Sequence, residues 1–414
     1  MTSEELVLEA AGTLAVCLGV GVLAVLVSDW AARWLPVPAV VLEILGGILV
    51  GPAVLGLAHD NEIVSAFSEL GLTVLMFLAG YEIQMSRIAG APLRSAGTGW
   101  AVSLAIGLGA GIAIVKLARP EDDVSTGILI GLVFTTTALG TVLPILRDTG
   151  DLDTRFGTFM LSAGAVGEFG PILAIALLLS GQRPLHVAAT LVAFVVIAAL
   201  MLVLASRPRS PRLSRLLGHT LTTSGQLAVR VVMLVVILLA WTAGELGLDV
   251  LLGAFTAGLV ARQFFSGQDE ETQEQTLVRL EGIGFGFLVP IFFVVSGIRF
   301  ELDALLSGGS ALLLLPVSLV LFLIVRGVPT YAALRGSLSG RDRVGAGIYT
   351  ATALPLVVVI TAIGVERGEL TEATAAALVG AGMVSVLVFP LAATRVRRAA
   401  PVSGEGWSDS SDAL

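Results

Sequence analysis

Long apolar stretches separated by short polar loops constrain this chain more than any other feature of its sequence. The 414 residues are 56% hydrophobic and 14% charged, whereas a soluble globular protein carries about 25% charged residues. A helix of about 20 apolar residues can cross a bilayer. We therefore predict an all-α polytopic membrane protein with about 13 transmembrane helices, near residues 6–28, 36–57, 63–83, 97–118, 125–146, 156–180, 185–205, 225–246, 249–265, 279–299, 309–333, 344–364 and 372–395.

Composition excludes several classes of chemistry. Cys17 is the single cysteine, so no disulfide can form within the chain, and the three histidines lie far apart in the sequence without metal-ligand spacing. No phosphate-binding loop precedes a helix. The net charge of −8 gives no support for nucleic-acid binding. We expect no enzymatic activity, no cofactor, no tightly bound metal and no nucleic-acid partner.

The distribution of Lys and Arg predicts how the chain is oriented in the cell (inner) membrane. With the N-terminus outside, most of the 24 basic residues fall in inner loops, as the positive-inside rule requires. The C-terminus is then cytoplasmic. The largest inner cluster lies in a loop that reads as a hinge between two halves and contains Arg207, Arg209, Arg212 and Arg215.

The hinge and the hydropathy pattern suggest a domain organisation. Residues 1–398 are expected to form one transmembrane transporter domain, with repeat one near 36–205 and repeat two near 225–395. Residues 399–414 are polar and are expected to form a short, disordered cytoplasmic tail.

A six-residue pattern occurs once in each half. The sequence T-T-T-A-L-G at 135–140 returns about 215 residues later as T-A-T-A-L-P at 350–355, and both copies lie inside apolar stretches. Polar, helix-breaking elements at corresponding positions of two halves are the best sequence indication of a transporter's binding site. We therefore predict two broken helices that cross each other.

Two further pairs of motifs support an internal repeat. The glycine-containing segment at 46–50 resembles 257–260, and the segment at 77–83 resembles 294–300. Each pair is seven spans apart, so the two copies cross the membrane in opposite directions. This inverted-topology repeat is typical of secondary transporters. Chance similarity between Gly-, Ala- and Leu-rich helices is the alternative explanation.

Glu168 is the most informative ionisable residue. It lies near the middle of span six, between Gly167 and the sequence F-G-P. An acidic side chain at the bilayer centre costs at least about 2.5 kcal/mol to insert, and desolvation favours its neutral form. Such a group can take a proton or coordinate a cation. A structural acid, hydrogen-bonded between helices, is the alternative.

The threonines of the two hexads are candidate cation ligands. If the helices break there, freed carbonyls and hydroxyls become oxygen ligands, and the dipole ends favour charge. Alternatively, each hydroxyl bonds a carbonyl of its own helix. The predicted cation- and proton-binding residues are Glu168, Thr135, Thr136 and Thr137, and the crossing partners are Thr350, Thr352 and Pro355.

Glu43 and Arg326 are the other intramembrane charges of interest. Each lies roughly seven residues from the inner end of its predicted span, so their depths match and an ion pair is feasible. Arg326 could equally reach Glu168, and either residue could instead extend to the interface. The acidic run at 269–274 is predicted to be a solvated loop before span ten.

Several motifs occur together in roughly residues 36–395. These are E-I-L-G-G-I-L-V-G-P at 43–52, L-G-L followed by F-L-A-G-Y-E at 70–82, T-T-A at 136–138, G-A-F-T-A-G at 253–258 and P-I-F-F-V-V-S-G at 290–297. Through these motifs the chain resembles the bacterial monovalent cation:proton antiporters of the sodium/hydrogen exchanger family.

The resemblance implies that two groups of spans have different roles. Spans four to six and eleven to thirteen would form a moving core, and spans one to three and eight to ten a scaffold and homodimer interface. Arg326 would be the basic residue of the core, so a pair with Glu43 could exist in one access state only. Glu168 stands where relatives usually carry Asp, after Gly167 rather than a second polar residue, which implies electroneutral one-for-one exchange.

The sequence therefore predicts a secondary antiporter that exchanges Na⁺ or K⁺ for H⁺ across a lipid bilayer by alternating access. Two alternatives remain open. One is a symporter or exchanger of a small organic anion on a similar fold, and the other is a non-transporting membrane sensor.

Overall fold

The computed structural model describes residues 3–31, 37–83, 88–118, 123–178, 184–207, 220, 226–266, 268, 270–307 and 309–398. Within these ranges the chain is helical and contains no strand. The helices are α1 Ser3–Ala31, α2 Ala39–Val50, α3 Glu62–Glu82, α4 Ala91–Ala118, α5 Val124–Val133, α6 Leu139–Asp148, α7 Arg155–Leu178, α8 Pro184–Ala205, α9 Leu227–Glu245, α10 Val250–Phe265, α11 Glu270–Ile283, α12 Val289–Ile298, α13 Leu302–Ser307, α14 Gly309–Leu321, α15 Val328–Ala333, α16 Gly340–Thr350, α17 Pro355–Glu366 and α18 Glu372–Arg398. The π-helical segments Gly284–Leu288 and Phe322–Gly327 join α11 to α12 and α14 to α15.

The helices have the length and surface of membrane spans. In the described part, nine helices are long and apolar enough to cross a bilayer, and four shorter apolar helices accompany them. Together they occupy the positions of the 13 predicted spans. Large apolar side chains such as Leu8, Trp30 and Leu313 are two-thirds or more exposed on the outer surface, where lipid rather than water can solvate them. The predicted fold class is confirmed.

Two spans are broken at the predicted hexads. α5 ends at Val133 and α6 begins at Leu139, while α16 ends at Thr350 and α17 begins at Pro355. Pro355 suits the first turn of a helix because it has no N–H to leave unpaired. The unwound segments meet directly, since Ala138 N donates to Thr352 O over 2.7 Å. The two broken helices therefore cross as predicted.

The repeated motifs pack against each other across the two halves. A Cβ on Gly47 of α2 would fall on Val294 O and Gly297 of α12, and a Cβ on Gly258 of α10 would fall on Phe77 O and Gly80 of α3. The positions correspond pair by pair in the repeat. Glycine is required at both contacts because the backbones approach too closely for a side chain.

Helix packing divides the membrane spans into two groups. α1, α2, α3, α9, α10 and α12 contact one another, and α4 to α7 contact α14 to α18. Both broken helices belong to the second group. This division corresponds to the scaffold and core that the resemblance implies.

Several boundaries differ from the predictions. The span expected at 36–57 is helical only over Ala39–Val50. The acidic run expected in a loop instead begins helix α11, which continues through the π segment into α12 without interruption; Glu271 and Glu274 on it are exposed, so one face is solvated. Residues Arg209, Arg212 and Arg215 of the predicted hinge, and the tail at 399–414, lie outside the described residues.

Candidate functional site

Glu168 lies on α7 at the crossing, with its side chain 3% exposed. Its Oε1 accepts a hydrogen bond from Leu139 N over 3.1 Å, and Leu139 is the first residue of α6. The carboxylate therefore caps the N-terminal end of a half-helix, where unpaired N–H groups and the helix dipole favour negative charge. Its second oxygen, Oε2, is buried without a hydrogen-bond partner among the described residues.

Glycines bring the neighbouring chain segments close to Glu168. A Cβ on Gly167 would lie 2.5 Å from Thr137 Oγ1 and 2.8 Å from Arg326 Nη2, and one on Gly170 would meet the Trp100 ring at 2.5 Å. Side chains at these positions would separate α7 from the break. The glycines that flank Glu168 in the sequence thus explain how the acid reaches the unwound segment.

The three threonines of the first hexad have different roles in the structure. Thr137 is at the crossing: its N donates to Gly167 O over 3.1 Å, and its Oγ1 donates to Thr350 O over 2.7 Å. Thr135 and Thr136 instead donate their hydroxyls to carbonyls three residues earlier, at 2.8 and 2.9 Å. These two side chains satisfy the carbonyl end of α5.

The second hexad supplies a carbonyl and an unpartnered hydroxyl. Thr350 O receives the Thr137 hydroxyl, and Thr350 Oγ1 lies 3.2 Å from Thr330 Oγ1. Thr352 is fully buried, and its Oγ1 has no hydrogen-bond partner in the described part of the chain. Pro355 begins α17 and contributes no donor.

Arg326 is held at the crossing by hydrogen bonds rather than by an ion pair. It belongs to the π-helical segment Phe322–Gly327 and is 1% exposed. Its Nε donates to Thr137 Oγ1 over 2.8 Å, and its Nη2 donates to Ala163 O over 2.7 Å. Thr137 in turn donates to the carbonyl at the end of α16, so the guanidinium lies at the negative end of that half-helix.

The structure does not bring Glu43 and Arg326 together. Glu43 lies on α2 in the other helix group and is 5% exposed. The ion pairs found among the described residues join Arg299 to Asp60 and Arg397 to Asp151 and Asp342. Matched depth along two spans does not imply matched position in the plane of the membrane, so the sequence could not decide this pairing. Arg326 likewise donates to neutral oxygens and not to Glu168.

Sequence reasoning missed four contributors to this region. Ala163 supplies a backbone carbonyl, which no sequence pattern can identify. Thr330 and Ser385 contact the second hexad, but isolated hydroxyls in membrane helices are common. Glu82 ends α3 close enough to Glu168 for their charges to interact. Its position in the F-x-x-G-x-E motif could have identified Glu82 as a contributor.

Apolar residues seal one side of Glu168. Phe169, the next residue in the chain, stacks on Phe255 of α10 with ring centroids 5.1 Å apart and planes at 23°. Around this stack, α3 and α10 pack against α6 and α7 in one buried cluster that contains Ala79, Ile83, Phe255, Leu139, Leu143, Leu161 and Ala165. This cluster connects the two helix groups next to the acid.

A cavity of about 760 Å³ lies toward the other ends of α3 and α10. We call the membrane face at which α1, α3 and α10 begin the N-terminal face. The cavity is lined by Leu72, Phe292 and Val379, and it reaches Val358, three residues beyond the second break. Among the described residues, its wall carries one arginine, Arg299, and five carboxyl side chains, Glu69, Asp249, Glu301, Glu366 and Glu372.

The donor set at the crossing suits a hard monovalent cation or a proton. It consists of one carboxylate, hydroxyls and main-chain carbonyls, and oxygen ligands are those that hard cations prefer. Among the described residues no three His, Cys, Asp or Glu side chains cluster as a metal site.

Comparisons with known proteins agree with this architecture. A family model described as "Sodium/hydrogen exchanger, transmembrane" matches residues 21–397. The chain is 25% identical over 377 residues to a Na⁺/H⁺ antiporter of Enterococcus hirae, covering 88% of this chain and 93% of that protein. It is 25% identical over 374 residues to the Na⁺/H⁺-K⁺ antiporter GerN of Bacillus cereus, covering 88% and 91%.

A putative Na⁺/H⁺ antiporter of Bacillus subtilis, YjbQ, is 24% identical over 372 residues, which are 86% of this chain; the match spans 58% of that longer protein. The solved structure of the sodium proton antiporter MjNhaP1 from Methanocaldococcus jannaschii superimposes with a TM-score of 0.66 at 16% identity, covering 94% of this chain and 97% of that one. This likeness establishes the fold. With a family model that matches most of its length, the chain belongs to the sodium/hydrogen exchanger family of membrane transport proteins.

Proposed function

We propose that this protein exchanges a monovalent cation, Na⁺ or K⁺, for H⁺ by alternating access, and that Glu168 binds either ion in turn. The observation that carries the proposal is the Glu168 carboxylate at the crossing, with Oε1 on the end of α6 and Oε2 unpartnered. Oε2 is available to a proton or to a cation. A buried carboxylate is unfavourable when charged and unaccompanied, so it crosses neutralised by one ion or the other.

The remaining cation ligands would come from the unwound segments. Thr352 Oγ1 is buried at the crossing without a hydrogen-bond partner among the described residues. The names of the Enterococcus hirae and Bacillus cereus relatives, which specify Na⁺ and, for GerN, K⁺ as well, support these two cations as candidates. Thr136 bonds its own helix in this state, so its contribution would require a rearrangement of the break.

One-for-one exchange follows if Glu168 alone carries the coupled ions. The other charge at the crossing, Arg326, is held by Thr137 and Ala163, and a guanidinium stays protonated in proteins. Glu82 is near, but it belongs to α3 of the other helix group. Each turnover would then move one positive charge in each direction, with no net current.

The cavity and the apolar cluster support alternating access. The cavity approaches the crossing from the N-terminal face, while the Phe169–Phe255 stack and the cluster around it close the opposite side. Sliding of α4 to α7 and α14 to α18 against the other helix group would open the second side and close the first.

Orientation and assembly are part of the same proposal. The excess of Lys and Arg in alternate loops supports a location in the cell membrane with the N-terminal face outside and the C-terminus in the cytoplasm. The family resemblance supports a homodimer through the scaffold helices. Cross-linking of purified protein in lipid discs would test the dimer.

The test of the function is Glu168→Gln in everted membrane vesicles that carry a pH gradient. Addition of Na⁺ or K⁺ should collapse the gradient with the native protein and leave it intact with the variant, at equal protein levels. Glu274→Gln, at an exposed position on α11, is the matched control and should behave as the native protein does. Full exchange by Glu168→Gln would remove the proposed mechanism.

A further inference from the structure

The two breaks are held by side chains of different charge on the following helix. At the first break, the N–H of Leu139, the first residue of α6, donates to the Glu168 carboxylate of α7. Within the second break, the N–H of Ala353, two residues before α17 begins, donates to Ser385 Oγ of α18 over 3.0 Å. Ala353 lies 214 residues after Leu139, and Ser385 lies 217 residues after Glu168. An N–H at each break is therefore bound by the next helix, through an acid in one half and through a hydroxyl in the other.

Ser385 makes more contacts with its break than a helix serine usually does. Its hydroxyl lies 2.7 Å from Gly382 O and 3.0 Å from Ala353 O, to either of which it can donate, while it accepts from Ala353 N. The side chain is fully buried. A serine in a membrane helix normally bonds only to a carbonyl of its own helix. Ser385 instead holds the N–H and C=O of one residue in a neighbouring unwound segment.

A glycine allows this close approach. A Cβ on Gly382 would lie 2.8 Å from Ala353 O and 3.3 Å from Leu354 Cδ1. Gly167 has the same role on α7, where a Cβ would meet Thr137. Both halves therefore bring the following helix against the break through a glycine, and then differ in the polar group that completes the contact.

We propose that Ser385 is a positioning residue which fixes the second break, and with it Thr352, while keeping the contact between this break and the next helix free of an acid. The inference rests on the proposed function, because it explains why one carboxylate and not two serves the crossing. Ala353 is the neighbour of Thr352, whose hydroxyl is buried without a hydrogen-bond partner among the described residues. Fixing the Ala353 peptide fixes the backbone that carries that hydroxyl.

The first experiment compares Ser385→Ala and Ser385→Thr in proteoliposomes. Ser385→Ala removes the contact with Ala353, so we expect the apparent KM for the cation to rise at least several-fold, with a smaller change in the maximal rate. Ser385→Thr keeps a hydroxyl and should restore the KM. Ser103→Ala is the matched control, because Ser103 is also buried but bonds only Gly99 O of its own helix. A native KM in Ser385→Ala would overturn the positioning role.

The second experiment uses Ser385→Asp, which places an acid on the following helix at each break. Exchange by this variant should respond to an imposed membrane potential, to which the native exchange is indifferent. Active exchange that stays indifferent to potential would overturn the view that Ser385 limits the crossing to one acidic group. Failure of the proposed function is distinguishable, because exchange would then be absent from the native protein or would survive Glu168→Gln.

Discussion

At the scale of single residues, the crossing stabilises charge by placing each sign on the helix end that favours it. Glu168 accepts from the N–H end of α6, and Arg326 reaches the carbonyl end of α16 through the Thr137 hydroxyl. Hydrogen bonds and dipoles replace the direct ion pair that the sequence suggested. The acid keeps one oxygen uncommitted, which an Arg–Glu pair would have occupied.

Replacement of Arg326 by lysine should show that the shape of its side chain matters as well as its charge. The guanidinium donates from Nε and Nη2 to two oxygens on different helices, and an ammonium lacks that fork. We expect Arg326→Lys to lose about 1.5–3 kcal/mol of stability, the range for hydrogen bonds to a charged group. Thermal unfolding in detergent measures this loss. An unchanged midpoint would mean that these bonds contribute nothing.

Addition of one methyl group at Gly167 should separate Glu168 from the break. The new Cβ would meet Thr137 Oγ1 and Arg326 Nη2 at 2.5 and 2.8 Å, and overpacking of this kind costs about 1–3 kcal/mol. We expect Gly167→Ala to impair exchange strongly. Gly109→Ala is the control, because a Cβ there meets nothing within 4 Å. Equal exchange by both variants would contradict the close approach.

At the scale of elements, the half-helices α6 and α16, one from each broken helix, are tied together by one residue. Arg397, near the end of α18, pairs with Asp151 between α6 and α7 and with Asp342 in the first turn of α16. Its guanidinium carbon also lies 3.6 Å from the centre of the Phe156 ring. The ion pair between Arg397 and Asp151 is only partly exposed. Solvent therefore screens it less than an ordinary surface ion pair.

Removal of the Arg397 contacts should lower the stability of the core helices without changing the contacts at the crossing. We expect Arg397→Gln to lower stability by about 1–2 kcal/mol, from the ion pairs and the aromatic contact together. Arg395→Gln, at an exposed position two residues earlier, serves as the control in the same melting experiment. The interpretation fails if both variants melt at the native temperature.

The sequence predicts the broken helices well and the contacts of Arg326 poorly, for a physical reason. Breaks at 134–138 and 351–354 arise from local chemistry, since hydroxyls compete for carbonyls and Pro355 cannot continue a helix, and local chemistry is readable in sequence. The partners of Arg326 depend on which helix lies beside α14 and α15 in the membrane plane. The π-helical segment that carries Arg326 has no sequence signature.

At the scale of the whole molecule, the two helix groups meet around the site with different surfaces on its two sides. Toward the N-terminal face lies the cavity with its five carboxyl side chains. Toward the other face lies the apolar cluster around Phe169 and Phe255. Water should therefore reach one side of the crossing and not the other in this conformation.

Thiol labelling can measure this asymmetry. Cys17 is the single cysteine and is buried, so Cys17→Ala gives a cysteine-free background. In it, Ser296→Cys in the cavity wall should react with a charged maleimide added at the N-terminal face. Ala165→Cys in the apolar cluster should not react from either face. Rapid labelling of Ala165→Cys would show that the seal is open.

The wide turn at Phe322–Gly327 makes the crossing sensitive to chain length as well as to chemistry. A π-helical segment accommodates an additional residue relative to an α-helix. Deletion of one leucine or isoleucine there would remove that residue and convert the turn to regular α-helix, with the flanking segments left in register. Such a deletion would leave hydrophobicity and charge nearly unchanged, yet it would close the wide turn from which the guanidinium of Arg326 reaches Thr137.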